Sequence, residues 1–241
     1  MLLTIVRLLM LGLHFLLAGL LGLLVGVCRP FNPDNSRVFA WLYSRPARPI
    51  LGVHLHAQVQ AMLEHPPGFV IVANHQSNYD LFVLGAVVPP RTVAMGKKSL
   101  KWLPLFGQLF WLGGNVLVDR SNAYKARRAL QVTRQTLREK RTSIWVFPEG
   151  TRNPGTRLLA FKKGAFHMAI EAGVPIVPLC VSGYARSMDL GRWRSATVRV
   201  RSLPPIPTAG LGQKDVPALM EQCRAQMQAC IDEMEVELQR A

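Results

Sequence analysis

The beginning of the chain contains the feature that most restricts its fold, an apolar segment close to the N-terminus. Residues 8–27 are apolar apart from His14. A helix of about twenty residues is about 30 Å long, which is the thickness of the hydrocarbon core of a bilayer. The alternative is a cleaved signal peptide, but no A-x-A site follows and the segment is long for the apolar part of one. We therefore predict a retained membrane helix.

Small residues along this segment predict that a second helix packs closely against it. The glycines are Gly12, Gly19, Gly22 and Gly26. The candidate partner is the aromatic and apolar stretch SRVFAWLYS, residues 36–44. The pair could form a hairpin in one leaflet or the first helix could span, and Arg7 and Arg29 near its ends do not decide the orientation. We predict a two-helix membrane anchor over residues 1–50 and a second domain over residues 51–241.

Beyond the anchor, short apolar or alternating segments are interleaved with helical ones, which predicts an α/β domain with a largely buried sheet. The predicted strands are residues 53–60, 69–73, 91–96, 143–148, 174–181 and 197–203. The predicted helices are residues 80–88, 124–141 and 162–172, followed by an amphipathic helix that carries Met220, Cys223, Met227, Cys230, Met234 and Leu238. Pro175 and Pro178 predict an edge or irregular position for the strand at 174–181, because proline cannot donate a backbone hydrogen bond to a neighbouring strand.

The net charge of +15 favours an anionic partner, which could be nucleic acid, anionic lipid headgroups or a phosphorylated substrate. Nucleic acid is the least favoured, because the sequence contains no zinc-finger spacing, no RNP-like aromatic motif and no basic region followed by heptads. The four cysteines show no metal-ligand spacing, and we predict no metal site. Cys223 and Cys230 fit buried thiols of a helical stripe, which indicates a reducing environment that faces the cytosol.

The stretch NHQSNYD, residues 74–80, places His75 and Asp80 five positions apart after an apolar strand. One regular helix would point the two side chains about 140° apart. A turn would instead let the carboxylate reach the imidazole Nδ1 and leave Nε2 free, as in a general base with its orienting acid. The alternative is an ordinary first-turn acid beside a histidine with no chemical role, and this stretch by itself favours the alternative.

Two further stretches suit an anionic or amphiphilic ligand. FPEGTR, residues 147–152, follows a predicted strand and combines Gly150 with Arg152, so that backbone N–H groups and a guanidinium could converge on an anion. GKKSLKWLPLFGQLFWLGG, residues 96–114, begins with Lys97 and other lysines and continues as a dense aromatic and leucine run. It suits a phosphate with an acyl tail or a membrane surface, and the alternative is an amphipathic core helix whose lysines reach solvent.

No stretch offers a covalent nucleophile in a convincing context. The sequence contains no G-x-S-x-G motif, and Ser77 lies within the histidine turn itself. A base without a nucleophile implies that the substrate brings its own, such as a hydroxyl. A serine hydrolase that uses Ser77 and a non-catalytic basic protein of the membrane surface stay open as alternatives.

Four segments in this order and spacing resemble the glycerolipid acyltransferases between about residues 74 and 179. They are NHQSNYD, GKKSLKWLPLFGQLFWLGGNVLVDR, FPEGTR and VPIVPL. The resemblance implies a mixed α/β sheet flanked by helices, with an N-terminal helical membrane anchor. It also implies that His75 is the base and Asp80 its orienting residue. Ser99 departs from the pattern, because many relatives carry glutamate at this position, and its role stays open.

The same resemblance implies a substrate-binding set in which Lys97 and Arg152 contact a phosphate. Three neighbours belong to that set, namely Glu149, Gly150 and Thr151. The implied reaction moves an acyl group from acyl-CoA or acyl-acyl-carrier-protein to the sn-2 hydroxyl of lysophosphatidic acid and gives phosphatidic acid, without a cofactor or a metal. The implied setting is a bacterial inner membrane, with the active site on the cytoplasmic face. Acylation of glycerol 3-phosphate, or of a lysophospholipid with a larger headgroup, stays open within this family.

Overall fold

In this computed structural model the protein is described over residues 1–118, 137 and 141–240. The described helices are α1 (Leu2–Cys28), α2 (Asn35–Leu51), α3 (Gln60–Leu63), α4 (Asp80–Leu84), α5 (Phe106–Leu112), α6 (Gly164–Ala172) and α7 (Val216–Gln239). The described strands are β1 (Val53–Gln58), β2 (Val70–Ala73), β3 (Thr92–Lys97), β4 (Val116–Val118), β5 (Ser143–Val146), β6 (Ile176–Val181) and β7 (Ala196–Ser202). The predicted helix over residues 124–141 falls almost wholly outside the described residues.

The described strands form one sheet in the order β1-β7-β6-β2-β5-β3-β4. Each neighbouring pair in it is parallel except β6 and β7, which run antiparallel. The sheet is therefore mixed and flanked by helices, which confirms the predicted fold class. The six predicted strands are all present, whereas β4 has three residues and was not predicted.

Strand β2 shows how alternation divides the core into two layers. Ile71 and Ala73 face a cluster that contains residues of α2 and α4. Val70 and Val72 face the opposite way, into a cluster with residues of α6 and α7. Successive side chains of a strand point to opposite faces, so a strand covered on both faces is apolar throughout, as β2 is.

The prediction of an edge position for β6 is wrong, because β7 and β2 pair with it on either side. The irregularity that the prolines predicted does exist, on the side of β7. The regular antiparallel pairing there covers Leu179 to Val181, and Pro178 accepts one hydrogen bond from the N–H of Leu203 at 2.9 Å. Beyond it the pairing continues only as the isolated bridge between Ile176 and Ile206. An interior strand tolerates a proline here because the regular ladder ends at this residue.

Helix α1 lies along the rest of the fold through its small residues. Three of its glycines lie where an added methyl group would come within 3.0 Å of a leucine at α5, and the pairs are Gly19–Leu105, Gly22–Leu109 and Gly26–Leu112. Helix α2 packs on the same side through Phe39 and Tyr43, as the sequence predicted for a second helix. The glycines therefore let two helices, α5 and α2, pack closely against α1. The sequence predicted α2 but not α5.

The N-terminal end of α1 is attached by a buried arginine. Arg7 is 4% exposed and donates hydrogen bonds to the carbonyl oxygens of Leu190 at 2.9 Å, Arg192 at 2.5 Å and Trp193 at 2.7 Å. These residues belong to the loop between β6 and β7. Carbonyl dipoles therefore stabilise the charge, and no acidic partner of Arg7 is present among the described residues. Both ends of α1 contact the domain.

The opposite side of α1 is an exposed leucine face. Its exposed leucines are Leu2, Leu8, Leu9, Leu13, Leu16, Leu17, Leu20, Leu21 and Leu24. Among the described residues, α1 is the one helix long and apolar enough to cross a membrane. An exposed apolar surface of this length is typical of a site that meets lipid or another protein. The division of the chain at residue 50 into anchor and domain stays a prediction.

Candidate active site

The sheet topology brings the predicted site residues to the carboxyl edge of the sheet, which is the side at which its parallel strands end. Strands β2, β3, β5 and β6 are parallel, so their carboxyl ends meet there. The turn with His75 follows β2, Lys97 is the last residue of β3, and the loop with Glu149 and Arg152 follows β5. In open α/β sheets, ligands bind outside the carboxyl ends of the strands.

Two amide side chains hold the histidine turn to the end of β6. Asn74 Oδ1 accepts the N–H of Val181 at 2.8 Å, and its NH₂ group donates to the Val181 carbonyl at 2.9 Å. The NH₂ group of Gln76 donates to the carbonyl oxygens of Val181 at 3.1 Å and Ser182 at 2.6 Å. Both side chains are buried. The residues on either side of His75 are therefore fixed in the interior, while the histidine between them is partly exposed.

The turn places the carboxylate of Asp80 against the imidazole of His75. Nδ1 of His75 lies 2.5 Å from Oδ2 of Asp80, and Asp80 is the first residue of α4. The same oxygen accepts the backbone N–H groups of Gln76 at 2.8 Å and Ser77 at 3.3 Å. The contact that the sequence predicted for a turn is thus present, and the catalytic role of the pair stays a proposal.

The imidazole of His75 is held on one side and open on the other. Its ring stacks on Phe147, with centroids 4.2 Å apart and an interplanar angle of 18°. The side chain is 25% exposed, and among the described residues no hydrogen-bond partner is recorded for Nε2. A carboxylate on Nδ1 favours the tautomer whose Nε2 lone pair is free to take a proton.

Glu149 is buried within the loop that follows β5. One of its oxygens accepts the N–H of His75 at 3.4 Å. The other accepts the side-chain amide of Asn153 and the N–H of Leu159, both at 2.9 Å. The carboxylate therefore joins the loop to the histidine turn, and the predicted place of Glu149 in the substrate-binding set stays a prediction.

Gly150 and Thr151 form the outer part of the same loop. Gly150 has a φ of 72°, in the left-handed region that favours glycine. Its N–H donates to the carbonyl oxygen of Phe147 at 3.1 Å and is therefore engaged in this arrangement. Thr151 is exposed. Backbone groups of this loop stay candidates for binding an anion, but the Gly150 N–H is not a free donor.

The two predicted phosphate-binding cations are exposed at the same edge. Nη1 of Arg152 donates to Oδ1 of Asn78 at 2.6 Å, which places the guanidinium beside the histidine turn. Lys97 ends β3, the strand next to β5. No contact between the two side chains is recorded, so their convergence on one phosphate stays a prediction.

The contacts of Ser77 do not support the alternative of a serine hydrolase. Oγ of Ser77 accepts the backbone N–H of Tyr79 at 3.2 Å, and no hydrogen bond joins it to the imidazole among the described contacts. Within the described part of the chain, no cluster of three His, Cys, Asp or Glu residues could hold a metal ion.

Sequence reasoning missed the residues that support the pair from behind. Asn74 and Gln76 lie within NHQSNYD, but no role was predicted for them from the sequence. An amide residue on each side of the histidine could have indicated that side chains anchor this turn. Tyr184 donates its hydroxyl to Oδ1 of Asp80 at 2.5 Å and follows a different strand. It lies 104 positions away in sequence, and no local pattern marks it.

A histidine whose second nitrogen is open, held by a buried aspartate at the carboxyl edge of a mixed sheet, defines a class of proteins that can activate a hydroxyl group. The family model described as Acyltransferase matches residues 54–182, which include the histidine turn and the loop after β5. The chain belongs to the acyltransferase family, and it is an enzyme.

Sequence similarity to known proteins extends over most of the chain. The chain is 40% identical to the 1-acyl-sn-glycerol-3-phosphate acyltransferase of Salmonella typhimurium and 40% identical to that of Escherichia coli, in each case over 98% of this chain and 96% of the relative. It is 36% identical to the human 1-acyl-sn-glycerol-3-phosphate acyltransferase alpha, over 88% of this chain and 75% of the relative. The crystal structure of the 1-acyl-sn-glycerophosphate acyltransferase from Thermotoga maritima has a TM-score of 0.76 at 21% identity, over 97% of this chain and 95% of the other, and therefore shares the fold.

Proposed function

We propose that the enzyme transfers a fatty acyl group to the sn-2 hydroxyl of 1-acyl-sn-glycerol 3-phosphate and gives phosphatidic acid. The names of the relatives support this acceptor. The observation that carries the chemistry is the 2.5 Å contact between His75 and Asp80, with Nε2 of the imidazole open. The proposed acyl donor is a thioester, either acyl-CoA or acyl-acyl-carrier-protein.

In the proposed reaction His75 Nε2 takes the proton of the acceptor hydroxyl while the oxygen attacks the thioester carbonyl. The carbon–sulfur bond then breaks, and the thiolate leaves with the electron pair of that bond. The imidazolium returns the proton to the sulfur, so the products are an ester and a free thiol. Asp80 stabilises the imidazolium that exists between the two proton transfers. Because a thiolate leaves readily, no stronger acid is required.

Lys97 and Arg152 are the proposed ligands of the acceptor phosphate. Arg152 is held beside the histidine turn by its bond to Asn78. A guanidinium can bind two oxygens of a phosphate monoester at once, and an ammonium adds a point charge. Two cations at the same edge as His75 would select an acceptor with a terminal phosphate and place its hydroxyl near Nε2.

The exposed leucine face of α1 is the proposed membrane attachment. A helix that contacts the domain at both Arg7 and Gly26 cannot cross a bilayer core of about 30 Å while the domain stays in water. We therefore infer that α1 lies along the membrane, a choice that the sequence left open. Trp102 is 76% exposed, and Nζ of Lys101 lies 4.4 Å from the centre of its ring, a pairing suited to the lipid headgroup region. The proposed setting is the cytoplasmic face of a bacterial inner membrane.

The acceptor is tested with the purified full-length chain in mixed micelles and a radiolabelled acyl-CoA. Three acceptors are compared: lysophosphatidic acid, glycerol 3-phosphate and lysophosphatidylcholine. We expect transfer to lysophosphatidic acid to be fastest, and a parallel series with acyl-acyl-carrier-protein compares the donors. Equal rates with lysophosphatidylcholine would contradict the proposed acceptor, because that lipid has no terminal phosphate.

The membrane attachment is tested by changing the exposed face of α1 and leaving its packed face intact. Leu13 and Leu20 are 60% and 58% exposed, so the double variant Leu13→Asn, Leu20→Asn should fold and bind lipid vesicles more weakly. The matched control is Leu159→Asn, at a leucine that is 43% exposed in the loop after β5. Release of the parent protein by high salt alone would show that the attachment is electrostatic rather than apolar.

A further inference from the structure

The loop after β6 brings a buried tyrosine against the acid of the catalytic pair. Tyr184 is 1% exposed, and its hydroxyl donates a hydrogen bond to Oδ1 of Asp80 at 2.5 Å. The ring packs in the same cluster as the residues of α2 and α4. A hydrogen bond from a neutral hydroxyl to a carboxylate in a dry environment is among the stronger interactions available to a side chain.

The backbone of Tyr184 is fixed as well. Oε1 of Gln76 accepts the N–H of Tyr184 at 3.0 Å and that of Ala185 at 3.2 Å. The backbone N–H of Gln76 in turn donates to Oδ2 of Asp80. Tyrosine and aspartate are therefore both attached to the residue that follows His75, and the three groups form one closed network.

The two oxygens of Asp80 have separate partners. Oδ2 accepts the imidazole of His75 and two backbone N–H groups of the turn. Among the described residues, Tyr184 is the one donor recorded for Oδ1. Burial first, and then the negative charge of Asp80, raise the pKa of Tyr184 well above its ordinary value, so the hydroxyl keeps its proton and remains a donor.

We propose that Tyr184 is a positioning residue for the acyl transfer, which holds Asp80 toward His75 and sets the pH at which the imidazole becomes able to take a proton. The proposal rests on the proposed role of His75 as the general base. A donor on Oδ1 draws charge from the carboxylate and prevents its rotation. The carboxylate then stabilises a proton on the imidazole less than it would alone, so loss of this donor is expected to change the pH dependence of the transfer.

Other charged or titratable groups lie close to the histidine turn. Tyr79 lies in the turn itself. Glu149 of the loop after β5 accepts the N–H of His75, and Arg152 of the same loop reaches Asn78. None of these is removed in a Tyr184 variant. The hydroxyl of Tyr184 is also in hydrogen-bond contact with Ser77, and Ser77→Ala measures the share of that contact separately.

The test is Tyr184→Phe, measured as kcat/KM for lysophosphatidic acid against pH. We expect the acid limb to move up by roughly 0.5 to 1 pH unit, since Asp80 without its donor stabilises the imidazolium more. Activity then falls about threefold to tenfold more at a pH below the limb than on the plateau. A tyrosine that only packs the core would lower activity equally at all pH values, and that result would overturn the proposal.

Tyr43→Phe is the matched control. Tyr43 is also 1% exposed and lies in the same cluster, but its hydroxyl has no hydrogen-bond partner recorded among the described residues. We expect its pH profile to coincide with that of the parent. If Tyr184→Phe does not fold, 3-fluorotyrosine at position 184 keeps the shape and makes a stronger donor. The acid limb should then move to lower pH, and an unchanged limb would contradict the proposal.

A second readout separates this inference from the proposed function. The full-length chain has six histidines, and isotope labelling of histidine allows the His75 ring signal to be identified by its loss in His75→Ala. We expect the titration midpoint of that signal to be higher in Tyr184→Phe than in the parent. If His75→Ala is inactive but the midpoint does not move, the inference fails and the proposed function stands. If the midpoint moves but His75→Ala remains active, the proposed role of His75 as the general base fails, and with it the positioning role of Tyr184 in catalysis.

Discussion

Two groups of polar side chains meet at the same edge of the sheet and are built in opposite ways. The group around His75 is closed: Asp80 is 4% exposed and receives donors from the turn and from Tyr184. The second group, Lys97 and Arg152, is exposed to solvent. The geometry of the His75–Asp80 pair is therefore fixed in advance. In the proposed function, the cations would interact strongly only once a lipid phosphate excludes water from them.

The largest effect that tests this comparison is expected for His75→Ala. Loss of a general base typically reduces the rate by about 10²–10⁴-fold, and kcat should fall with little change in either KM. The measurement is a steady-state assay on both substrates, with thermal unfolding as a check of the fold. His54→Ala is the control, because His54 is exposed on the edge strand β1. Near-normal turnover by folded His75→Ala would remove the mechanism.

The variant Asp80→Asn should lose nearly as much activity as His75→Ala, with kcat reduced roughly 10²-fold or more. The amide has the size of the carboxylate but cannot stabilise an imidazolium, and its NH₂ group would face the donors that surround Asp80. The profile of kcat/KM against pH would show a lowered plateau rather than an acid limb displaced to another pH. A variant that recovers full activity at high pH would show that Asp80 acts only by orienting the ring.

The exposed cations should give a smaller effect of a different kind. Lys97→Ala or Arg152→Ala is expected to cost about tenfold to hundredfold in kcat/KM, the loss of one or two charge-assisted hydrogen bonds. Two-substrate kinetics should show the loss in the KM of the acceptor and leave that of the acyl donor unchanged. Arg157→Ala is the control, since Arg157 lies in the same loop with its side chain 84% exposed. A raised donor KM with a constant acceptor KM would reverse the assignment of the phosphate sites.

Ser77→Ala should have the smallest effect, within about threefold. Its hydroxyl accepts the N–H of Tyr79 within the turn and is also in hydrogen-bond contact with the hydroxyl of Tyr184. The chain keeps its other contacts there, because Asp80 binds the backbone N–H of residue 77 rather than the hydroxyl. Complete loss of activity, together with a covalent acyl-enzyme seen by mass spectrometry, would instead support a serine nucleophile.

The sequence revealed the parts of the fold and site that depend on neighbouring residues. Six strands were predictable from short apolar or alternating segments. The contact of His75 with Asp80 was predictable only if the five residues formed a turn, and the resemblance to a family was what favoured its role. The partners that strands acquire from distant segments were not predictable. The prolines of β6 therefore indicated an edge or an irregular position without deciding between them, and only the irregularity exists. Tyr184 was missed for the same reason, because only the pairing of β6 with β2 brings its loop to Asp80.

The distribution of the four thiols has a practical consequence for spectroscopy. Cys28, the last residue of α1, is exposed, whereas Cys180, Cys223 and Cys230 are buried. A nitroxide reagent should therefore attach to the native chain at a single point, without prior removal of cysteines. The spin relaxation of the attached nitroxide would be measured with oxygen and with a water-soluble nickel complex. The ratio of the two effects reports how deeply the end of α1 lies in the bilayer. Cys28 of the native sequence is therefore sufficient as a labelling site for measuring the depth of α1 in the bilayer.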